Sequence, residues 1–164
     1  MCPSSILGGF TISNVYCVRA NYGTYARQFI EGGYIAIGWI EGTDLSDVSS
    51  REELYPLYER SYPDDTSRIV IGQQVGQIAR FLLEIRGGDY VITPDSDTEW
   101  LHYGQVGPDL SYYYASPEDG CPYRHRRHTE WKDETLRRGD FSVPFQNTIR
   151  SSLTVFAFPN GMNS

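Results

Sequence analysis

The sequence has little of what marks several common protein classes. It holds three cysteines, Cys2, Cys17 and Cys121. Their number is odd and their spacing fits no disulfide framework, so a reducing compartment is expected. No apolar run approaches the ~18 residues a membrane-spanning helix requires. The opening Met-Cys-Pro-Ser-Ser is neither a basic leader nor an apolar signal core, so no export is expected and the chain is assigned to the cytoplasm. There is no Gly-x-Ser-x-Gly elbow and no glycine-rich loop of phosphate-binding form. Pro94-Asp95 resembles the start of a metal-dependent nuclease motif, but Glu99 is followed by Trp100 and Leu101 where an acid-x-Lys pair is required. No internal repeat or low-complexity segment is present. These absences point away from an enzyme and toward a binding module that needs neither cofactor nor metal.

What is present is an aromatic-rich single domain. At 164 residues the chain is long enough to build a real core. The mean hydropathy of −0.44 is polar, yet thirteen Tyr, seven Phe and three Trp supply rigid amphipathic surface. Such rings suit a pocket or an interface, although Tyr also simply fills half-buried strands. The net charge is −7, which opposes binding along a phosphate backbone. The charge is uneven, however. Residues 41–65 carry eight acids against two Arg, whereas residues 124–138 carry six basic residues against three acids. An acidic protein can therefore keep one basic face.

Residues 1–13 read as a loose arm, 14–158 as one domain and 159–164 as a tail. Val15 to Arg19 reads as a strand, and Thr24 as the cap of a helix from Tyr25 to Glu31 that Gly32-Gly33 ends. Tyr34 to Ile40 is an almost continuous apolar run, as in a buried central strand. Ser50 to Glu53 forms a capping-box pattern before a helix in which Pro56 is a conflict. Ile71, Val75, Ile78, Leu82 and Ile85 make one helical stripe, with Gln74, Gln77 and Phe81 on the adjacent face. Strands are expected at Asp89 to Thr93, at Trp100 to Val106 and Leu110 to Ser116 as a hairpin about Gly107-Pro108-Asp109, and at Tyr123 to Trp131. Lys132 to Asp140 reads as a loop. A short helix from Ser142 or Val143 to Ile149 and a last strand from Ser152 to Phe158 complete the chain. Strands and helices do not alternate regularly, so the fold class is α+β rather than a doubly wound parallel sheet.

Several residues are candidates for chemistry. Trp39 ends the most apolar strand beside Glu41 and Asp44, where an indole can stack a base; it can equally be a lid on the core. Asn21 and Tyr22 follow the first strand and would lie near Trp39 if the first two long strands pair. Tyr103 and the run Tyr112 to Tyr114 are weaker aromatic candidates. Gly72 to Gly76 opens the long helix, where amides can receive a phosphate or serve only close packing. Cys121, His125 and His128 have spacing reminiscent of zinc ligands, but a strand points His125 and His128 to opposite faces, and an exposed charged strand is the simpler reading. Arg124, Arg126, Arg127, Arg137 and Arg138 form the best phosphate-contact surface, unless they only balance nearby acids on a solvated face.

The order of these segments resembles a known group. Phe29 to Trp39 with Asp44-Leu-Ser46, Gly76 to Phe81 leading to Gly88 to Pro94, and Tyr103 to Pro108 carry the first part. His125 to Trp131, Arg138 to Phe141, Phe145-Gln-Asn147 and Leu153 to Phe156 carry the rest. Together, over about residues 14 to 158, they resemble the PUA-like (EVE/YTH-related) N-terminal recognition domains of Mrr- and McrB-type modification-dependent restriction enzymes. The resemblance implies a mixed β-barrel flanked by helices. It implies a DNA-binding reader that flips a modified base out of double-stranded DNA into an aromatic pocket, as part of an antiviral defence system. It assigns Trp39 as stacking wall, Asn21 and Asp44 as edge readers, and Tyr22 and Gln74 as further pocket members, beside which Tyr103 is the added aromatic candidate. A nuclease domain beyond Ser164 is the implied partner domain. RNA or a free nucleotide is the alternative occupant of the same pocket.

Overall fold

The computed structural model describes residues 14–108 and 111–159. The arm at 1–13, nearly all of the tail and Asp109 of the expected hairpin turn lie outside the described residues. The chain is α+β, a strongly curled half-barrel of mixed strands flanked by helices. Its strands are β1 (Val15–Val18), β2 (Tyr34–Ile37), β3 (Tyr90–Pro94), β4 (Trp100–Val106), β5 (Tyr112–Tyr114), β6 (His125–Arg137) and β7 (Val155–Ala157). They lie in the order β2-β6-β4-β3-β1-β7, with β5 also on β6. Among the described residues only β1 and β3 pair in parallel; the other pairings are antiparallel.

Three strand expectations change. The apolar run at 34–40 is not central: among the described residues β2 pairs only with β6, and it ends at Ile37. Its four residues are nevertheless fully buried, with the helix at Ala26–Gly32 and β1 lying close against it. β4 and β5 do not form a hairpin. Both run antiparallel to β6, Val106 opposite Thr129 and Tyr112 opposite Arg127, so they point the same way along it. The segment expected as a loop from Lys132 is strand as far as Arg137, continued by a 3-10 turn at Arg138–Asp140. Its charged side chains face water while its backbone pairs with β4. The ladder between β4 and β6 shifts register between His102 and Gly104. A Cβ on Gly104 would lie 2.6 Å from the Glu130 carbonyl oxygen, so glycine permits the close approach at this bulge.

The period-2 alternation of the strands feeds two cores, one on each face. Tyr16, Val18, Val91 and Val155 join the main core with α1 (Ala26–Gly32), α2 (Leu54–Ser61) and α3 (Arg68–Ala79). Cys17, Ile92 and Phe156 face the second core under α4 (Val143–Thr148). There Phe141, Phe145 and Phe158 stack with centroids 4.2 and 4.5 Å apart. Burying such a ring contributes roughly 1.5–3 kcal/mol.

Local chemistry sets the helix ends. α1 starts from Tyr25 without a side-chain cap, so Thr24 does not serve as one, and it stops at left-handed Gly33. Ser67 caps α3 through the Val70 amide, and Ser142 caps α4 through the Phe145 amide. Pro56 falls in the first turn of α2, after a 3-10 turn at Arg51–Glu53, where no intrahelical partner is lost. Ser50 does not cap a backbone amide; Glu53 instead accepts from the Ser49 and Ser50 hydroxyls. α3 passes into a π-helical turn at Arg80–Glu84. The extra residue per turn rotates the apolar face, so Phe81 and Ile85 are buried and Leu82 is only half-buried.

Candidate nucleic-acid interface

Beyond β1 the chain makes a turn that only unusual backbone geometry allows. Asn21, Tyr22 and Gly23 have φ values of 54°, 56° and 84°. Asparagine and glycine tolerate this left-handed region; for tyrosine it costs roughly 1–2 kcal/mol. The turn is locked by Thr24 N–H donating to the Asn21 carbonyl and Tyr25 N–H to that of Ala20. Gly23 sits so tightly on the segment after β3 that a Cβ would lie 2.2 Å from the Ser96 nitrogen. The result is a Tyr22 ring held out in water, 88% exposed.

The turn walls a cavity of about 380 Å³. Three arginines reach it from distant parts of the chain: Arg19 after β1, Arg138 after β6 and Arg150 after α4. Tyr22, Asn21 and Tyr123 line one side, and the Ser151–Ser152 segment another. Among the described residues no carboxylate lines it. Arg19 is fixed by backbone carbonyls, with Nε donating to Leu153 at 3.2 Å and Nη2 to Ser151 at 2.8 Å and to Ile149. Arg138 donates from Nη1 to the Thr98 carbonyl at 3.3 Å, and Arg150 to Asn147 Oδ1 at 3.4 Å. Partial burial, followed by the charges of Arg150 and Arg19, pushes the Arg138 pKa down. The guanidinium nevertheless stays charged. Cations crowded without a counter-charge are the electrostatic half of an anion site. Tyr123 supplies a flat wall, pinned edge-to-face on Tyr25 at 5.2 Å and packed on Gly38.

The structure brings Asn21, Tyr22 and Arg138 of the sequence-based candidates to this cavity and disperses the others. Trp39 is half-buried against the main core and does not line it. Asp44 is exposed, its carboxylate accepting from the Ser46 amide at 2.9 Å. Gln74 accepts from Gln77, whose own Oε1 receives the Thr154 and Val155 amides at 2.7 and 3.0 Å. Gln74 therefore acts behind the cavity wall, steadying the segment that leads into β7. Tyr103 donates to Glu134 at 2.7 Å across β4 and β6.

The basic segment is not one phosphate-contact surface. Arg126 and Arg127 are buried. Arg126 forks onto Asp119 at 3.0 and 3.1 Å and lies over the Tyr34 ring at 4.0 Å. Arg127 donates to the Phe81 and Ile85 carbonyls, at the end of the π-helical turn. Arg124 lies over Tyr114 at 4.2 Å and donates to the Ala115 carbonyl. Arg137 pairs with Glu99 at 2.6 Å on the surface. The simpler reading of 125–128 as an exposed strand fails for the same reason, since His125 is also fully buried. Its Nε2 donates to the Ile40 carbonyl at 2.8 Å, which leaves Nδ1 to accept from Tyr112. Burial lowers the His125 pKa, which favours this neutral form. Among the described residues no three His, Cys, Asp or Glu side chains are grouped to hold a metal ion, and no helix is long and apolar enough to cross a membrane.

A family model for a domain of unknown function, DUF8426, matches residues 16–156. The chain belongs to that family. The match runs from β1 into β7 and so takes in every residue of the arginine-lined cavity. A search of curated proteins finds no match.

One charged group behind the cavity gives a pH signature. Asp119 accepts from Arg126, from the Tyr34 hydroxyl at 2.7 Å and from the Cys121 amide at 3.2 Å. Burial opposes its ionisation, but these donors outweigh it and hold the carboxyl at about 2, below its usual 3.8. A depressed folded-state pKa adds stability that is present above the unfolded pKa and lost as pH falls through the folded one. Thermal melts of the wild type are expected to lose stability between about pH 4 and 2. Asp119→Asn should start less stable at neutral pH and lose less across that range. Parallel curves would remove Asp119 from the acid response.

Proposed function

We propose that the chain is a cytoplasmic nucleic-acid reader that holds an unstacked nucleotide in the cavity between Tyr22, Tyr123 and the three arginines. The observation that carries the reading is the convergence of Arg19, Arg138 and Arg150 on one cavity that no carboxylate of the described residues lines, beside a ring exposed on a strained turn. Cations meet phosphate, and an exposed tyrosine offers a face to a base; stacking of this kind contributes ~1–3 kcal/mol per base. Asn21 stands where its amide can meet a base edge. Free buried thiols at Cys17 and Cys121 accord with a reducing compartment.

The resemblance to the recognition domains of modification-dependent restriction enzymes makes modified DNA the first substrate class to test. In this reading Tyr22 takes the stacking role assigned by resemblance to Trp39, because Trp39 is packed on the core. The protein acts by binding, not by catalysis, and any strand cleavage would belong to a separate nuclease domain. A second reading, recognition of RNA or a free nucleotide, is favoured by the confined volume of the cavity and by the acidic surface elsewhere.

The test is a binding panel of short DNA duplexes and single strands with methylated, hydroxymethylated and unmodified bases, alongside matched RNA. A preference for one modified DNA, weakening steeply as salt rises, is the expected result. A preference for RNA transfers the role to the second reading. Absence of binding to every oligonucleotide and mononucleotide would refute both.

A further inference from the structure

We propose that the arginine cluster takes a nucleoside phosphomonoester, the phosphate of a strand end or of a free mononucleotide, in preference to an internal phosphodiester. The inference rests on the reading of the cavity as a nucleotide site. Its first support is charge. An internal phosphodiester carries one negative charge, whereas a phosphomonoester near neutral pH carries about −1.5 to −2. Three guanidiniums converge on the cavity without a carboxylate among the residues that line it.

The second support is their arrangement. A site that tracks a strand spreads its cations along a groove. Here they come from the ends of β1, β6 and α4 and enclose a single cavity. The other arginines of the basic segment, which would have continued such a track, are occupied. Arg124 is stacked on Tyr114, Arg126 is forked onto Asp119, and Arg137 is paired with Glu99. The third support is the net charge of −7, which resists a long polyanion lying across the surface but not the insertion of one terminal group. A terminal nucleotide is also the cheapest to unstack, because extrusion costs least where pairing is already weakened.

Fluorescence anisotropy on the full chain tests this, using one short labelled strand with a 5′-phosphate, with a 3′-phosphate, or with hydroxyls at both ends. One phosphorylated form is expected to bind about tenfold tighter or more near neutral pH. That preference should shrink at about pH 5, where the monoester regains its second proton (pKa about 6). Among the described residues neither a carboxylate nor an imidazole lines the cavity, and the titratable side chains that do are Arg19, Tyr22, Tyr123, Arg138 and Arg150. A change in that pH range therefore reports on the ligand. Arg150→Gln, at an exposed position, should reduce the preference for the phosphorylated end more than it reduces binding of the hydroxyl-ended strand. Competition by a nucleoside monophosphate as strong as by the phosphorylated strand supports the proposal with a free nucleotide as the source. Equal affinity for all three strands overturns the inference and leaves the reader intact. Inorganic phosphate competing as well as the mononucleotide overturns it in favour of a bare anion site. No binding of any strand or mononucleotide overturns the inference and the reader together.

Discussion

Replacing Arg138 and Arg150 together by glutamine is expected to weaken oligonucleotide binding by about 100-fold, with the fold retained. A hydrogen bond to a charged group contributes roughly 1.5–3 kcal/mol, and each 1.4 kcal/mol is about tenfold in affinity. Two such contacts therefore give about two decades or more. Within the protein these side chains bond only lightly, to the Thr98 carbonyl and to Asn147 Oδ1. Their removal also relieves mutual repulsion that the free protein otherwise carries, so thermal stability should hold or rise slightly. Each lost phosphate contact should lower the slope of log affinity against log salt by about one. Arg137→Gln serves as comparison, because that side chain faces water in a pair with Glu99, and it should change affinity little. An unchanged affinity and salt slope in the double variant would exclude these arginines from phosphate contact.

Arg126→Ala is expected to destabilise the protein by about 3 kcal/mol. Breaking a buried ion pair by removing one partner costs about 3–5 kcal/mol, because the other charge stays behind. Asp119 keeps 38% of its side chain in water, which places the loss near the lower end of that range. The guanidinium also donates to the Tyr123 carbonyl at 2.8 Å and the Cys121 carbonyl at 2.9 Å. Lysine cannot reproduce this planar fork, so Arg126→Lys should recover only a minor part of the loss. Equilibrium urea unfolding gives the measurement. A loss below about 1 kcal/mol would show that the pair contributes no more than a surface contact. Because Arg126 holds the segment carrying Tyr123, the variant should bind oligonucleotides more weakly as well.

Periodicity made much of the fold readable. The stripe from Ile71 to Ile85, the apolar run from Tyr34 and Ser142 before Pro144 each mark an element that forms nearly where expected. The far half of β6 was hidden, because Lys132, Asp133 and Glu134 read as solvent-facing loop. What makes them strand is the backbone of β4 alongside, from Trp100 to Gly104, and no local pattern records that neighbour. The π-helical turn was hidden for a similar reason: Leu82 continues the helical period in sequence, yet packing selects Phe81.

The site divides in the same way. Asn21 and Tyr22 are legible because they follow a strand and precede a helix. Arg19 and Arg150 are silent in the sequence, since a single arginine at an element end carries no signal and the two meet only through tertiary structure. Composition held one hint, for the chain has thirteen Arg against one Lys. Arginine serves both planar buried bonds and phosphate contacts, and the structure finds it at buried pairs and at the cavity alike. Local sequence does not distinguish these uses, because burial of Arg126 depends on Asp119 and Tyr34, remote from each other along the chain.

β6 is hydrogen-bonded to β2, β4 and β5. It is the seam that joins β2 and β5 to the rest of the sheet, and Arg138 follows directly at its end. The cavity takes Tyr123 and Arg138 from the flanks of this strand and Arg19 and Ser151–Ser152 from the opposite, β1–β7, edge of the sheet, so its lining joins the two. Occupation of a pocket near the seam therefore protects the entire molecule by mass action. Resistance to proteolysis would rise with ligand throughout the chain rather than at the pocket rim alone.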